Sequence, residues 1–184
     1  MEVQNVIREA LEANVTYGDK YGIRFVQKEF SCNGMKVMAD PDRLMQVMTN
    51  LLSNAAKFSP EGDVVEVSTE DRDNLVRIAV HDRGSGIPEN FRNRIFGRFT
   101  QADSTTARQK GGTGLGLSVC DGIVRGLGGR IEVESEPGAG TTFRIKLPLT
   151  LAILDAQLLC VGDQAYALPL VSIVESVRPR REQL

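Results

Sequence analysis

Apolar residues recur along the chain at two periods, and the switches between them mark out the elements. Val3, Val6, Ile7, Ala10 and Leu11 fall on one side of a helix over residues 2–16. Residues 22–30 and 35–39 read as short strands, with Asn33-Gly34 as the turn between them. Asp40-Pro41 then opens a helix well, a capping side chain followed by proline at the first helical position. Leu44, Val47, Met48, Leu51 and Ala55 form the buried stripe of that helix, which runs to about Phe58 and stops before Ser59-Pro60 and Gly62. Strong alternation returns over 63–69 and 75–81 and predicts a two-stranded hairpin. A Gly-rich polar stretch from 82 to 112 is interrupted by a short helix near 89–97. Residues 113–127 read as a helix ending at Gly128-Gly129, followed by strands at 130–135 and 141–147. The order α-β-β-α-β-β-(loop)-α-β-β predicts an α/β fold of the α+β kind, a two-layer sandwich with a mixed sheet and its helices on one face.

Beyond residue 148 the character changes. Residues 149–184 hold apolar runs broken at Gly162-Asp163 and end in the basic RPRR segment, so we expect one domain over 1–148 and a fragment of another over 149–184. Hydrophobic residues make up 41% of the 184, enough for a packed core, while a net charge of −2 offers no basic field for nucleic acid. No apolar run approaches the roughly 20 residues needed to span a bilayer. Cys32, Cys120 and Cys160 lack metal-ligand spacing and read as reduced thiols. The expectation is a cytoplasmic protein that contacts neither nucleic acid nor membrane.

Three stretches carry chemistry. On the helix at 41–58, Gln46, Asn50, Asn54 and Lys57 share a second face at spacings of four, four and three. Such a stripe taken alone is a solvated face; with its neighbours it reads as a phosphate and Mg2+ face, since an Asn carbonyl suits a hard cation and a Lys suits phosphate oxygens. Next, HDRGSGIPE sits at the end of a strand, where Gly84 and Gly86 either make a tight turn or let backbone approach a flat ligand. There the Asp82 carboxylate is placed to accept from an exocyclic amine, which adenine offers and guanine does not at the same position. Finally, KGGTGLGLSV sets Gly111, Gly112, Gly114 and Gly116 at a helix start, where exposed amides favour anions. No Gly-Lys-Ser/Thr follows, so this is not a Walker loop, and the spacing is not that of a dinucleotide fingerprint.

The succession NLLSNAAKF, DRGSGIP, FGRFTQ, GGTGLGLS and SEPGAGTTF resembles the histidine kinase branch of the ATPase superfamily that includes gyrase, Hsp90 and MutL, over roughly residues 2–147. The resemblance implies the left-handed βαβ, Bergerat-type nucleotide fold, with ATP and Mg2+ beneath a lid. It also implies roles for single residues. Asn54 matches the metal ligand, Lys57 a phosphate contact and Phe58 an aromatic beside the adenine. Asp82 matches the adenine-reading acid, with Gly84 and Gly86 beside it. Phe96 and Phe99 match the aromatic pair anchoring a lid over 101–111, where Arg108 and Lys110 are candidate phosphate partners. Gly112, Gly114, Leu115 and Gly116 match the phosphate helix, and Thr142 a threonine near the adenine.

Asn50 stands where the ATPase branches carry a Glu resembling a general base for water. An amide accepts no proton usefully near neutral pH, which favours phosphoryl transfer over hydrolysis and adds Asn50 to Asn54 and Lys57 as catalytic candidates. His81, the single histidine, ends a strand and reads as structural, so the phosphate acceptor is expected on a separate histidine-containing domain, with a response regulator downstream. Residues 147–184 resemble the first strands of the regulatory domain of chemotaxis histidine kinases, which adds a chemotaxis adaptor to the expected partners. Their unpaired strand edges favour pairing between two copies of the chain over packing back on the sheet. Two other readings stand beside the kinase: a stand-alone serine kinase like those acting on anti-sigma antagonists, and a nucleotide-binding assembly module without turnover.

Overall fold

The computed structural model describes residues 1–30, 35–92, 94–97, 116–149, 156–162 and 164–169. The chain divides into two compact units, Met1–Thr150 and Leu151–Leu184.

In the first unit, α1 (Val3–Lys20) buries Val3, Val6, Ile7 and Ala10. The helix runs a turn beyond the apolar stripe because Asn14 and Gly18 continue its buried side. The Asn14 amide donates to the Ala10 carbonyl at 2.8 Å, which satisfies a polar group inside the core. Gly22, at φ +65°, reverses the chain into β1 (Arg24–Phe30). The strand expected at 35–39 is a single antiparallel bridge between Glu2 and Lys36, so this segment pairs with the amino terminus rather than with β1. The proposed Asn33-Gly34 turn lies outside the described residues.

Helix α2 (Pro41–Phe58) starts as its sequence requires: Asp40 accepts from the amides of Asp42 and Arg43, and Pro41 takes the first position. Its whole expected stripe is buried, together with Leu52, Ala56 and Lys57. β2 (Val64–Arg72) and β3 (Leu75–Asp82) turn through Asp73 and Asn74, both at positive φ, the geometry that matches strand twist in a two-residue hairpin. The short helix α3 covers Glu89–Arg92 only. α4 is described from Gly116 to Gly126, and β4 (Arg130–Glu136) and β5 (Gly140–Pro148) complete the unit.

The sheet runs β1-β2-β3-β5-β4, with β1 parallel to β2 and every other pair antiparallel. Alternation along β2, β3 and β5 buries one face, where Val65, Val67, Val76, Ile78, Val80, Phe143, Ile145 and Leu147 join the helices in a single core. The opposite face carries ion pairs across strands, Lys28–Glu66, Arg144–Glu134 and Lys146–Glu132. The result is a mixed sheet under one layer of helices. In the second unit, β6 (Ala156–Val161) and β7 (Gln164–Pro169) form an antiparallel hairpin, with Gly162 at φ +61° between them.

Candidate functional site

The buried face of β3 ends in a carboxylate. Alternation that buries Val76, Ile78 and Val80 carries Asp82 into the same layer, 5% exposed. Its Oδ1 accepts from the Gly84 amide at 2.9 Å, and the Thr141 backbone also donates to it. Burial pushes the Asp82 carboxyl above the ordinary aspartate range, against the pull of those two amides and of His81. A charge kept at this depth with backbone amides as its partners costs stability, which is the usual mark of a group retained for a ligand.

The turn after Asp82 is wedged between protein segments. A Cβ on Gly84 would lie 2.7 Å from the Phe58 carbonyl oxygen at the end of α2, and one on Gly86 would lie 2.2 Å from that of Glu136. Gly86 also holds φ +71°, so both glycines permit close approach of the chain to itself.

At the other end of the layer, α4 begins against the middle of α2. A Cβ on Gly116 would come 3.4 Å from Asn50 Oδ1, and the buried Cys120 thiol reaches both the Asn50 side chain and, at 3.9 Å, the Val47 carbonyl. Asn50, Asn54 and Phe58 follow at i, i+4 and i+8 along α2, so one helix face runs about 12 Å from the glycine at the α4 start to the Asp82 turn. Asn50 and Asn54 are half-buried and Phe58 is 38% exposed, so this is no plain solvated stripe. Lys57 is buried, with its ammonium 5.3 Å from the Phe58 ring centroid. Gln46, at the far end of the proposed stripe, is exposed.

One expected residue falls on the wrong side. Thr142 pairs with His81 across β3 and β5, and its hydroxyl lies 2.9 Å from His81 Nδ1 on the face away from the helices. Thr141 is the register partner of Asp82 and is 5% exposed on the buried face. The correction is one of parity: Phe143, Ile145 and Leu147 are buried, so 141 shares their side and 142 cannot. That alternation is legible in TTFRIKL and could have found Thr141. Phe96 is half-buried and meets Phe143 edge-on at 6.5 Å. Phe99, Arg108, Lys110, Gly112, Gly114 and Leu115 lie outside the described residues.

The site brings a buried acceptor, a polar helix face and the start of a helix together along one line. That order suits a ligand with a hydrogen-bond donor at one end and anionic groups at the other. Among the described residues no group of three His, Cys, Asp or Glu side chains is arranged to hold a metal ion. Asn54, half-buried on α2, offers a single amide oxygen, which fits a cation that takes one or two protein oxygens and completes its shell with phosphate and water, as Mg2+ does.

Known proteins resemble the chain in both sequence and fold. The chain is 50% identical over 115 residues to the sensor histidine kinase AruS of Pseudomonas aeruginosa, covering 60% of this chain and 12% of that protein. It is 34% identical over 148 residues to the sensor-like histidine kinase SenX3 of Mycolicibacterium smegmatis, covering 80% of this chain and 38% of that one. Thus the chain spans well under half the length of these curated relatives. Among solved structures, the nucleotide-free catalytic domain of histidine kinase ThkA superposes with TM-score 0.69 at 31% identity, covering 82% of this chain and 94% of that domain. Full-length ShkA in complex with AMPPNP superposes with TM-score 0.67 at 28% identity, covering 80% of this chain and 30% of that one. The sequence profile of the histidine kinase-, DNA gyrase B- and HSP90-like ATPases matches residues 39–151. With that match over more than half its length and its first unit folded like histidine kinase catalytic domains, the chain belongs to the histidine kinase-, DNA gyrase B- and HSP90-like ATPase family.

Proposed function

We propose that this chain binds ATP with Mg2+ and transfers the γ-phosphoryl group to a histidine on a separate phosphoacceptor domain, from which a response regulator takes it. The observation that carries the reading is the buried Asp82 carboxylate at the end of a polar helix face, a site that accepts hydrogen bonds from an amine and rejects a carbonyl. In this reading Asp82 and Thr141 orient the base, and Phe58 lies beside it. Asn54 holds the cation, Lys57 contacts phosphate and the start of α4 offers backbone N–H groups. Bound Mg2+ would neutralise phosphate charge and align the chain of phosphates. The residues of the site chiefly position and stabilise, as phosphoryl transfer requires little covalent help from protein.

Asn50 supports kinase over ATPase chemistry, because its side chain is engaged with Cys120 and an amide cannot activate water. His81 supports an acceptor elsewhere: its ring is held by Thr142 on the ion-paired face of the sheet, opposite Asp82. Calorimetric titration with ATP·Mg2+, GTP·Mg2+ and an Asp82→Asn variant tests the proposal. ATP binding that GTP does not reproduce and that the variant loses is the expected result. Equal binding of both nucleotides, or none of either, would sink it.

A further inference from the structure

Ser135, on β4, is the register partner of Thr141 and touches three other segments of the first unit. Its hydroxyl accepts from the Ile87 amide at 2.8 Å, donates to the Gly140 carbonyl at 3.0 Å, and lies 2.9 Å from Thr141 Oγ1. The Arg92 guanidinium from α3 donates to its backbone carbonyl. A serine hydroxyl has one proton and two lone pairs. With the proton committed to Gly140 and one lone pair to Ile87, the contact with Thr141 is made by the remaining lone pair. The Thr141 hydroxyl must then be the donor to Ser135, and it turns only lone pairs toward its surroundings.

We infer that Ser135 is a positioning residue for nucleotide selectivity: by absorbing the Thr141 proton it presents an acceptor beside the Asp82 acceptor, a pair that suits an exocyclic amine and excludes a 6-oxo purine. The inference rests on the nucleotide reading of the site and assigns it a determinant one strand beyond the Asp82–Thr141 pair. Without the Ser135 hydroxyl, the Thr141 O–H is free to rotate and donate, and a carbonyl at position 6 meets a partner.

The test measures affinities for ATP and inosine triphosphate, which carries a carbonyl where ATP carries the amine, on the full chain and on Ser135→Ala, Ser135→Cys and Ser135→Thr. The wild-type chain is expected to prefer ATP. Ser135→Ala lowers the ATP-to-inosine preference about fivefold, the worth of one neutral hydrogen bond. Ser135→Cys fills the same space with a poor donor and acceptor and shifts the preference in the same direction, while Ser135→Thr keeps it within about twofold. A purely structural serine would weaken both nucleotides alike, so an unchanged preference in whichever of the Ala and Cys variants folds overturns the inference. A wild-type chain that binds neither nucleotide brings down the nucleotide reading itself, and this inference with it.

Discussion

Replacing Gly86 by alanine separates two roles for the glycines after Asp82, approach to a ligand and approach to the protein. Gly86 holds φ +71°, and a Cβ there would stand 2.2 Å from the Glu136 carbonyl oxygen, 2.7 Å from its carbon and 3.0 Å from Pro137 Cα. All three neighbours are backbone, so relief requires the turn between β4 and β5 to move. The left-handed conformation costs a residue with a Cβ about 1–2 kcal/mol, and overpacking a closed contact costs about 1–3 kcal/mol more. The sum, about 2–5 kcal/mol, is a large part of the roughly 5–15 kcal/mol that holds a domain folded. At about 2 kcal/mol per molar urea, the ligand-free unfolding midpoint should fall by about 1 M or more, followed by helical circular dichroism. Gly122→Ala is the control: this exposed position inside α4 has nothing within 4 Å of its Cβ, and the substitution should stabilise by about 0.5–1 kcal/mol. A Gly86→Ala chain that unfolds within about 0.5 kcal/mol of wild type without nucleotide would refute the close-approach argument and return Gly86 to the ligand.

Two further outcomes follow from buried ionisable groups. Burial raises the Asp82 pKa from its ordinary 3.8, so the folded chain keeps a proton that the unfolded chain has lost. Stability therefore falls as pH rises from 3.8 through the raised value, and above that window Asp82→Asn should be more stable than wild type while failing to bind ATP; a lower ligand-free urea midpoint for the variant at pH 7 contradicts this. Burial likewise pushes the Cys120 thiol up to about 12, so in a Cys32→Ser, Cys160→Ser background a thiol reagent at pH 8 should label Cys120 only as fast as the first unit unfolds. Rapid labelling of the native chain would show that the α2–α4 contact opens locally.

Much of this protein is a local property of its sequence. The Asp40 cap, the α2 stripe and the alternation of β2 and β3 each depend on residues a few positions apart, whose periods of 3.6 and 2 decide which side each residue takes. The same alternation carries Asp82 to the buried end of β3, and with it the chemical identity of the site. The partners across space were decided elsewhere. Residues 35–39 have the apolar content of a strand, yet their bridge is to the amino terminus, a competition between distant segments that periodicity does not describe. The exchange of Thr142 for Thr141 shows how sharp the register is, since one residue moves a hydroxyl from the helix-covered side of the sheet to the ion-paired side. Gly86 was legible as a glycine that must be glycine, but only the packing of the chain names Glu136 as the reason. Ser135 meets Ile87 across 48 positions and Cys120 meets Val47 across 73. Such contacts come from the order and register of strands and the docking of helices, where hydrogen-bond geometry and close packing act between parts of the chain that share no local pattern.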